Sequence, residues 1–95
     1  MHINEFQEMM RRLYFYRDSE RGVEKTFKWL VEEVAELGEA LKTSDRKALE
    51  NEFADVIAWL ASLANITNVD LEKAALGKYN NKCPKCKNSP CQCPF

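Results

Sequence analysis

The sequence predicts an all-α protein, an antiparallel bundle of about four helices followed by a short Cys-rich C-terminal tail. Apolar residues recur at spacings of three and four through most of residues 1–82, and no segment alternates with the period of a β-strand. Only three glycines and three prolines interrupt the 95 residues. This length allows one domain at most. We therefore assign residues 1–82 to a helical domain and residues 83–95 to the tail.

The first two helices are predicted from capping and periodicity. Asn4 and Gln7 match a capping box, which places the first helix over about residues 4–16, before the exit at Gly22. The second helix is predicted over about residues 23–41 because its apolar residues form one stripe. This stripe comprises Phe27, Leu30, Val34, Leu37 and Leu41.

The third and fourth helices each begin at an aspartate. Asp45 is the predicted N-cap of a helix over about residues 46–66, and Asp70 that of a shorter helix ending near Asn81. The connection between the second and third helices is about four residues long, so these helices should be antiparallel neighbours. The apolar stripe of the third helix comprises Leu49, Phe53, Val56, Ile57, Leu60 and Leu63.

Charge and hydropathy restrict the partners. All 15 acidic residues precede Gly77 together with 10 of the 14 basic ones, so residues 1–77 carry a net charge of −5, whereas four lysines give the rest +4. An acidic body argues against broad nucleic-acid binding, and no nucleic acid is expected as an obligatory partner. No apolar run approaches the roughly 18 residues of a membrane helix, and no signal peptide is visible. We expect a cytoplasmic protein without membrane contact.

Two pairs of acids are the main candidates for chemistry. Glu33 and Glu36 on the second helix, and Glu52 and Asp55 on the third, each have the spacing of three that puts both carboxylates on one helix face. Glu52 and Asp55 share their face with large apolar residues, where charge is costly unless a cation is bound. Trp29 is on the face of the first pair. Ordinary solvated helix surface with salt bridges is the alternative interpretation.

The ligand types suggest which cation would bind. Four carboxylates without a nearby histidine or cysteine favour hard Mg²⁺, with Mn²⁺ as an alternative, over zinc or copper. Di-iron bundles contain Glu-x-x-His motifs, and the only histidine here is His2. We interpret Trp29 and Trp59 as core residues, although aromatic rings could also stack on a base or pack at a subunit interface.

The acidic motifs resemble those of a known enzyme family. Glu32-Glu33-Val34-Ala35-Glu36, followed by Glu52-Phe53-Ala54-Asp55, is similar to the EExxE…ExxD signature of the MazG-like nucleotide pyrophosphohydrolases, all-α enzymes related to the dimeric dUTPases. The resemblance extends over about residues 5–82. It implies that Glu33, Glu36, Glu52 and Asp55 hold Mg²⁺ while Glu32 and Glu33 serve in catalysis.

The same resemblance implies a substrate and an assembly. The substrate would be a nucleoside triphosphate, cleaved to a monophosphate and pyrophosphate in nucleotide-pool housekeeping. Basic and amide side chains on the last helix would contact the triphosphate; the candidates are Lys78, Asn80, Asn81 and Lys82. A solvated helix end is the other interpretation of these four residues. Relatives bury their exposed apolar faces by pairing subunits, so a homodimer or homotetramer is expected to complete the bundle.

The tail contains a second candidate metal site. Cys83-Pro84-Lys85-Cys86 and Cys91-Gln92-Cys93 give C-x-x-C, four residues, then C-x-C, a pattern that could form one Zn²⁺ site. Two disulfides or a free tail are the alternatives. The rival to the enzymatic interpretation is a non-enzymatic helical adaptor that docks a protein or nucleic acid through this zinc-binding, basic tail.

Overall fold

The protein consists of four α-helices and contains no β-strand. The computed structural model describes all residues from 1 to 95. Its helices are α1 (Ile3–Arg21), α2 (Val23–Ala40), α3 (Arg46–Ile66) and α4 (Leu71–Lys78). The antiparallel α2 and α3 form the main hairpin, α1 packs along α3, and α4 packs against α1. The all-α prediction is confirmed. None of the four helices combines the length and apolar character needed to cross a membrane.

The predicted start of α1 is correct to within one residue, but the predicted capping box and the predicted end were wrong. The helix begins at Ile3, and the backbone N–H of His2 donates to the carboxylate of Glu5 at 2.7 Å. It continues to Arg21, five residues beyond the predicted end, because nothing before Gly22 breaks a helix. Gly22 stops it with a φ of +87°, a conformation that a side chain would strain. The added turn brings further polar side chains alongside α3.

The predicted caps of α3 and α4 are confirmed. The side chain of Asp45 accepts a hydrogen bond from the backbone N–H of Ala48 at 3.1 Å. Asp70 accepts one from the N–H of Lys73 at 3.0 Å. Each aspartate satisfies an N–H that has no partner within its own helix. These caps set where the two helices begin.

The prediction that α4 ends near Asn81 was wrong. The helix ends at Lys78, and the N–H of Tyr79 closes its last turn on the carbonyl of Ala75 at 2.8 Å. Asn81 has a left-handed φ of +65°, which a right-handed helix does not accommodate. The segment from residue 79 onward therefore follows a non-helical path.

A polar clamp connects α1 to the α3–α4 turn. The buried side-chain amide of Gln7 donates to the Asn65 side chain at 3.0 Å and to the carbonyl of Val69 at 2.7 Å. Its oxygen accepts the N–H of Leu71 at 2.9 Å. The Asn65 side chain in turn donates to the backbone carbonyl of Gln7 at 3.2 Å. Because these buried amides have partners, they orient the turn without leaving a polar group unsatisfied.

The core of a single chain is small. Only nine residues are buried: Gln7, Met10, Asp18, Thr26, Ala40, Ala61, Ser62, Ala64 and Asn65. Much of the predicted apolar stripes of α2 and α3 is exposed instead, including Phe27 at 54% and Phe53 at 55%. Contiguous exposed apolar surface is typical of interaction sites. One face of the α2–α3 hairpin therefore packs against the rest of the chain, and a second, apolar face is exposed.

Candidate active site

Three of the predicted metal ligands converge between α2 and α3. One carboxylate oxygen from each of Glu33, Glu36 and Glu52 lies within 4.8 Å of the other two. Glu33 and Glu36 are neighbours on α2 because they are three residues apart. The short connection folds α3 back so that Glu52 faces them. Local helix periodicity and one tight turn thus assemble a cluster of negative charge.

The carboxylates in this cluster lack compensating groups. Oε2 of Glu33 and Oε2 of Glu52 are both buried without a hydrogen-bond partner. Burial, a hydrogen bond with Glu36 and the charges of the other acids raise the pKa of Glu33 from its ordinary 4.5 to about 7. Burial, followed by the charges of Glu36 and Asp55, also raises the pKa of Glu52. The protein alone does not neutralise this site.

Asp55 and Glu32 have different positions around the cluster. Asp55 is exposed and lies outside the group of three within 4.8 Å, but its charge raises the pKa of both Glu33 and Glu52. Its side chain borders a neighbouring cavity. Glu32 is exposed and also lies outside the close group. Asp55 therefore connects the carboxylate cluster to the adjoining space.

A cavity of about 290 Å³ opens beside Asp55, between α1 and α3. Its size is near the lower end of the range of roughly 300 to 1,000 Å³ found for small-molecule sites. Both charge signs and aromatic surface are present in its wall. The lining residues are Met10, Tyr14, Arg17, Asp18, Arg21, Asp55, Ala58, Trp59 and Ser62.

Arg21 is held in a defined orientation at this cavity. Its guanidinium donates to the buried carboxylate of Asp18 at 2.8 Å and lies 4.7 Å from the ring centroid of Trp59. Asp18 is 2% exposed, and its Oδ2 has no hydrogen-bond partner. An ion pair on one side and an aromatic face on the other reduce the freedom of the arginine.

The sequence prediction missed the α1 contribution to the cavity. Arg17, Asp18 and Arg21 belong to the last five residues of α1, beyond the helix end predicted at residue 16. The available signal was the absence of any glycine or proline before Gly22, together with the four-residue spacing of the two arginines.

The two tryptophans stack on each other across the hairpin. The ring centroids of Trp29 and Trp59 are 6.1 Å apart, and their planes differ by 22°. Neither side chain is buried, and Trp29 is 47% exposed, so the interpretation of both as core residues was wrong. Trp59 instead forms part of the cavity wall.

The predicted contacts on the last helix lie elsewhere in the single chain. Lys78 ends α4 with its Nζ 5.6 Å from the Tyr79 ring centroid, and Asn80 is exposed beyond the helix. Asn81 and Lys82 line a groove with the cysteine segment. None of the four borders the cavity beside Asp55. Their contact with a substrate stays a prediction.

The four tail cysteines form a second cluster of candidate ligands. Cys83, Cys86, Cys91 and Cys93 are all free, and their sulfurs lie within 4.8 Å of one another. Hydrogen bonds from the backbone of Gln92, then of Asn88, lower the pKa of Cys86 from 9.0 to about 6. The neighbouring thiols raise the pKa of Cys93 to about 11. Backbone groups favour some of the thiolates, whereas the crowded sulfurs oppose ionisation of the last.

Comparison with known proteins identifies one family. The model of the MazG nucleotide pyrophosphohydrolase domain matches residues 21–87. The match includes α2, α3 and α4, with all four acids of the two motifs, and extends into the tail beyond Cys86. No curated protein matches the chain.

Proposed function

Because the chain belongs to the MazG nucleotide pyrophosphohydrolase family, we propose that it hydrolyses nucleoside triphosphates to nucleoside monophosphates and pyrophosphate with Mg²⁺. One observation above all supports the metal dependence. Glu33, Glu36 and Glu52 converge within 4.8 Å, and two of their oxygens are buried without partners. An arrangement of this kind is costly in the absence of a cation.

The residues fit a hard divalent cation. Glu33, Glu36, Glu52 and Asp55 would hold it, because carboxylate oxygens suit Mg²⁺ or Mn²⁺ and no softer ligand lies among them. Such a cation supplies positive charge to phosphate oxygens and lowers the pKa of water. The adaptor alternative treats these acids as solvated surface. Solvated acids are hydrated or paired, which the buried oxygens of Glu33 and Glu52 are not.

The cavity beside Asp55 suits a nucleotide. Arg17 and Arg21 offer positive charge where a phosphate chain would enter, and Trp59 contributes apolar surface to the cavity wall. Asp18 and Trp59 hold Arg21 in place before a ligand arrives, which lowers the entropy lost on binding. We assign to Glu32, exposed beside the cluster, the role of orienting the attacking water.

A second copy of the chain would cover the exposed apolar face. Phe27, Val31 and Val34 on α2 and Phe53 and Ile57 on α3 are each at least 45% exposed. Their exposure in a single chain supports a homodimer or homotetramer, in which a second copy would bury them. In such an assembly residues 78–82 of one chain would contact the nucleotide bound by another. Housekeeping of the nucleotide pool would take place in the cytoplasm, where these substrates are found.

Pyrophosphate release tests the proposal directly. A panel of canonical and modified nucleoside triphosphates is incubated with Mg²⁺ or Mn²⁺ and the native chain, Glu36→Gln or Asp55→Asn. We expect metal-dependent release by the native chain and a loss of at least about 100-fold in both variants, since even an outer-shell change at a metal site costs roughly 10- to 100-fold. Size-exclusion chromatography with light scattering measures the assembly in parallel.

Two matched variants control for general loss of charge. Glu39→Gln removes an acid of α2 that pairs with Lys42 at 3.4 Å, and Glu50→Gln removes one of α3 that pairs with Arg46 at 3.8 Å. Both acids are exposed, so we expect hydrolysis within about twofold of native because surface pairs contribute little. No pyrophosphate from any nucleotide with either metal would contradict the enzymatic function.

A further inference from the structure

We propose that Cys83, Cys86, Cys91 and Cys93 form a closed tetrathiolate Zn²⁺ site that folds the segment after α4. The sulfurs of Cys83 and Cys93 are 3.8 Å apart, and those of Cys86 and Cys91 are 3.9 Å apart. With a Zn–S bond of about 2.3 Å, the edge of a regular ZnS₄ tetrahedron is roughly 3.8 Å. Each of these pairs joins one cysteine of the C-x-x-C to one of the C-x-C, and all four sulfurs lie within 4.8 Å of one another, which is compatible with one shared centre.

The backbone around the sulfurs is arranged as a ligand cradle. The N–H of Gln92 donates to Sγ of Cys86 at 3.3 Å, and the N–H of Cys93 donates to Sγ of Cys91 at 3.3 Å. Outer-shell donors of this kind orient metal ligands and stabilise their charge. The hydrogen bond within the short C-x-C pair therefore helps to orient its sulfurs, although only one residue separates the two cysteines.

A hairpin-like loop holds the first pair in position. The N–H of Cys83 donates to the carbonyl of Asn88 at 2.9 Å, and the N–H of Lys87 donates to the carbonyl of Cys83 at 2.8 Å. Lys87 has a left-handed φ of +65°, which turns the chain back after Cys86. These bonds bring Cys86 close to Cys91, five residues further along the chain.

The segment has no apolar core that could hold this geometry. No residue from 79 to 95 is buried, and none belongs to a helix or strand. A short segment without a core requires a metal or disulfides to be ordered. The sulfur separations of 3.8 and 3.9 Å far exceed the roughly 2.05 Å of a disulfide bond. A metal is thus the cross-link that agrees with the separations.

The chemistry of the ligands favours zinc. Four thiolates in tetrahedral arrangement suit Zn²⁺, and all four positions are filled by protein, as in structural rather than catalytic sites. Four thiolates and one Zn²⁺ carry a net charge of −2, and Lys85 and Lys87 within the loop offset it. This site is distinct in ligand type from the carboxylate cluster, so the two should bind different metals.

Metal analysis of the intact chain tests the site. The chain is purified without chelators, its metals are quantified, and its thiols are titrated before and after removal of metal. We expect one zinc per chain and no reactive thiol until a chelator releases the zinc, when four thiols react. The count is unambiguous because the protein has only four cysteines. Replacement by Co²⁺ should give the visible spectrum of a tetrahedral thiolate complex.

A matched pair of variants separates ligand loss from loop disruption. Cys91→Ser should lower zinc affinity by at least about 100-fold, since outer-shell changes alone cost up to that much. Ser89→Ala, in the same loop without a ligand, should keep one zinc per chain. Four reactive thiols without metal, two disulfides in the intact mass, or iron in place of zinc would each overturn the proposal. If Cys91→Ser misfolds, the metal content and thiol count of the native chain still test the proposal.

Discussion

The two ligand clusters of this molecule are built in opposite ways. The carboxylates project from α2 and α3, whose backbone hydrogen bonds and cap at Asp45 do not depend on any ion. The cysteines lie in a segment that has neither regular secondary structure nor a buried residue. Helices therefore hold the first cluster in place without a cation, whereas the second cluster would need a bound cation to keep its shape.

This difference separates the effects that metal removal should have. The carboxylate cluster lies on helices that form without an ion. Removal of the cation should therefore abolish activity while the helices keep their fold. In a site whose ligands come from a short loop, the binding free energy is also folding free energy. We therefore expect Mg²⁺ to control chemistry and zinc to control local structure.

The largest expected effect is local unfolding of the tail when zinc is removed. Structural zinc sites contribute about 10 to 16 kcal/mol in small domains, far more than the few hydrogen bonds of this loop. Hydrogen exchange should show at least a 100-fold loss of protection at the amides of Cys83, Lys87, Gln92 and Cys93. Amides of α2 and α3 should remain protected when zinc is removed, and removal of Mg²⁺ should leave the tail amides unchanged. Tail amides that stay protected without zinc would contradict this account.

The Gln7 clamp tests whether α4 depends on the helical body or on the tail. Gln7→Ala removes three side-chain hydrogen bonds and leaves Asn65, the carbonyl of Val69 and the N–H of Leu71 without their partner. We expect a loss of about 3 kcal/mol in the free energy of unfolding, with or without zinc. Urea denaturation measures it, and Gln92→Ala, an exposed glutamine of the tail, is the control. A loss below about 0.5 kcal/mol would show that the clamp does not hold the turn.

Glu33→Gln should separate stability from function in the carboxylate cluster. The amide removes one charge from a group whose Oε2 is buried without a partner, so the metal-free variant should be more stable than the native chain by about 1 kcal/mol. Pyrophosphate release should fall by at least about 100-fold because a ligand is lost. Thermal denaturation without divalent metal and a hydrolysis assay with Mg²⁺ measure the two effects. A destabilised variant would indicate that Glu33 serves the fold.

Local patterns were sufficient to predict the arrangement of helices that brings the carboxylates together. The bounds of α3 and the caps at Asp45 and Asp70 follow from periodicity and short-range hydrogen bonding, and α2 ends within one residue of its prediction. Once two helices are joined by a short turn, the facing positions of their acids are constrained. The convergence of Glu33 with Glu52 therefore follows from helix periodicity and the length of the connection.

Features that depend on tertiary contacts could not be predicted in this way. The last turn of α1 has no apolar periodicity, and its Asp18 is buried through an ion pair with Arg21. Gln7 is a core residue that hydropathy would place outside. The exposure of Phe27 likewise reflects how few elements one chain has to cover it, which an amphipathic pattern does not reveal.

The smallest expected effect is a pH dependence of the metal-free protein. Because the pKa of Glu33 rises from 4.5 to about 7 on folding, the folded chain binds this proton more tightly than the unfolded chain. The contribution to stability is thus fully present below pH 4.5 and is lost as the pH rises to about 7. The group is partly exposed, so solvent screening reduces the difference to about 1 kcal/mol. Urea denaturation across this range should show a decline that saturating Mg²⁺ opposes and that Glu33→Gln reduces. If the stability of Glu33→Gln declined by the same amount, another group would be responsible for the titration. The repulsion between the carboxylates would then be weaker than their geometry indicates.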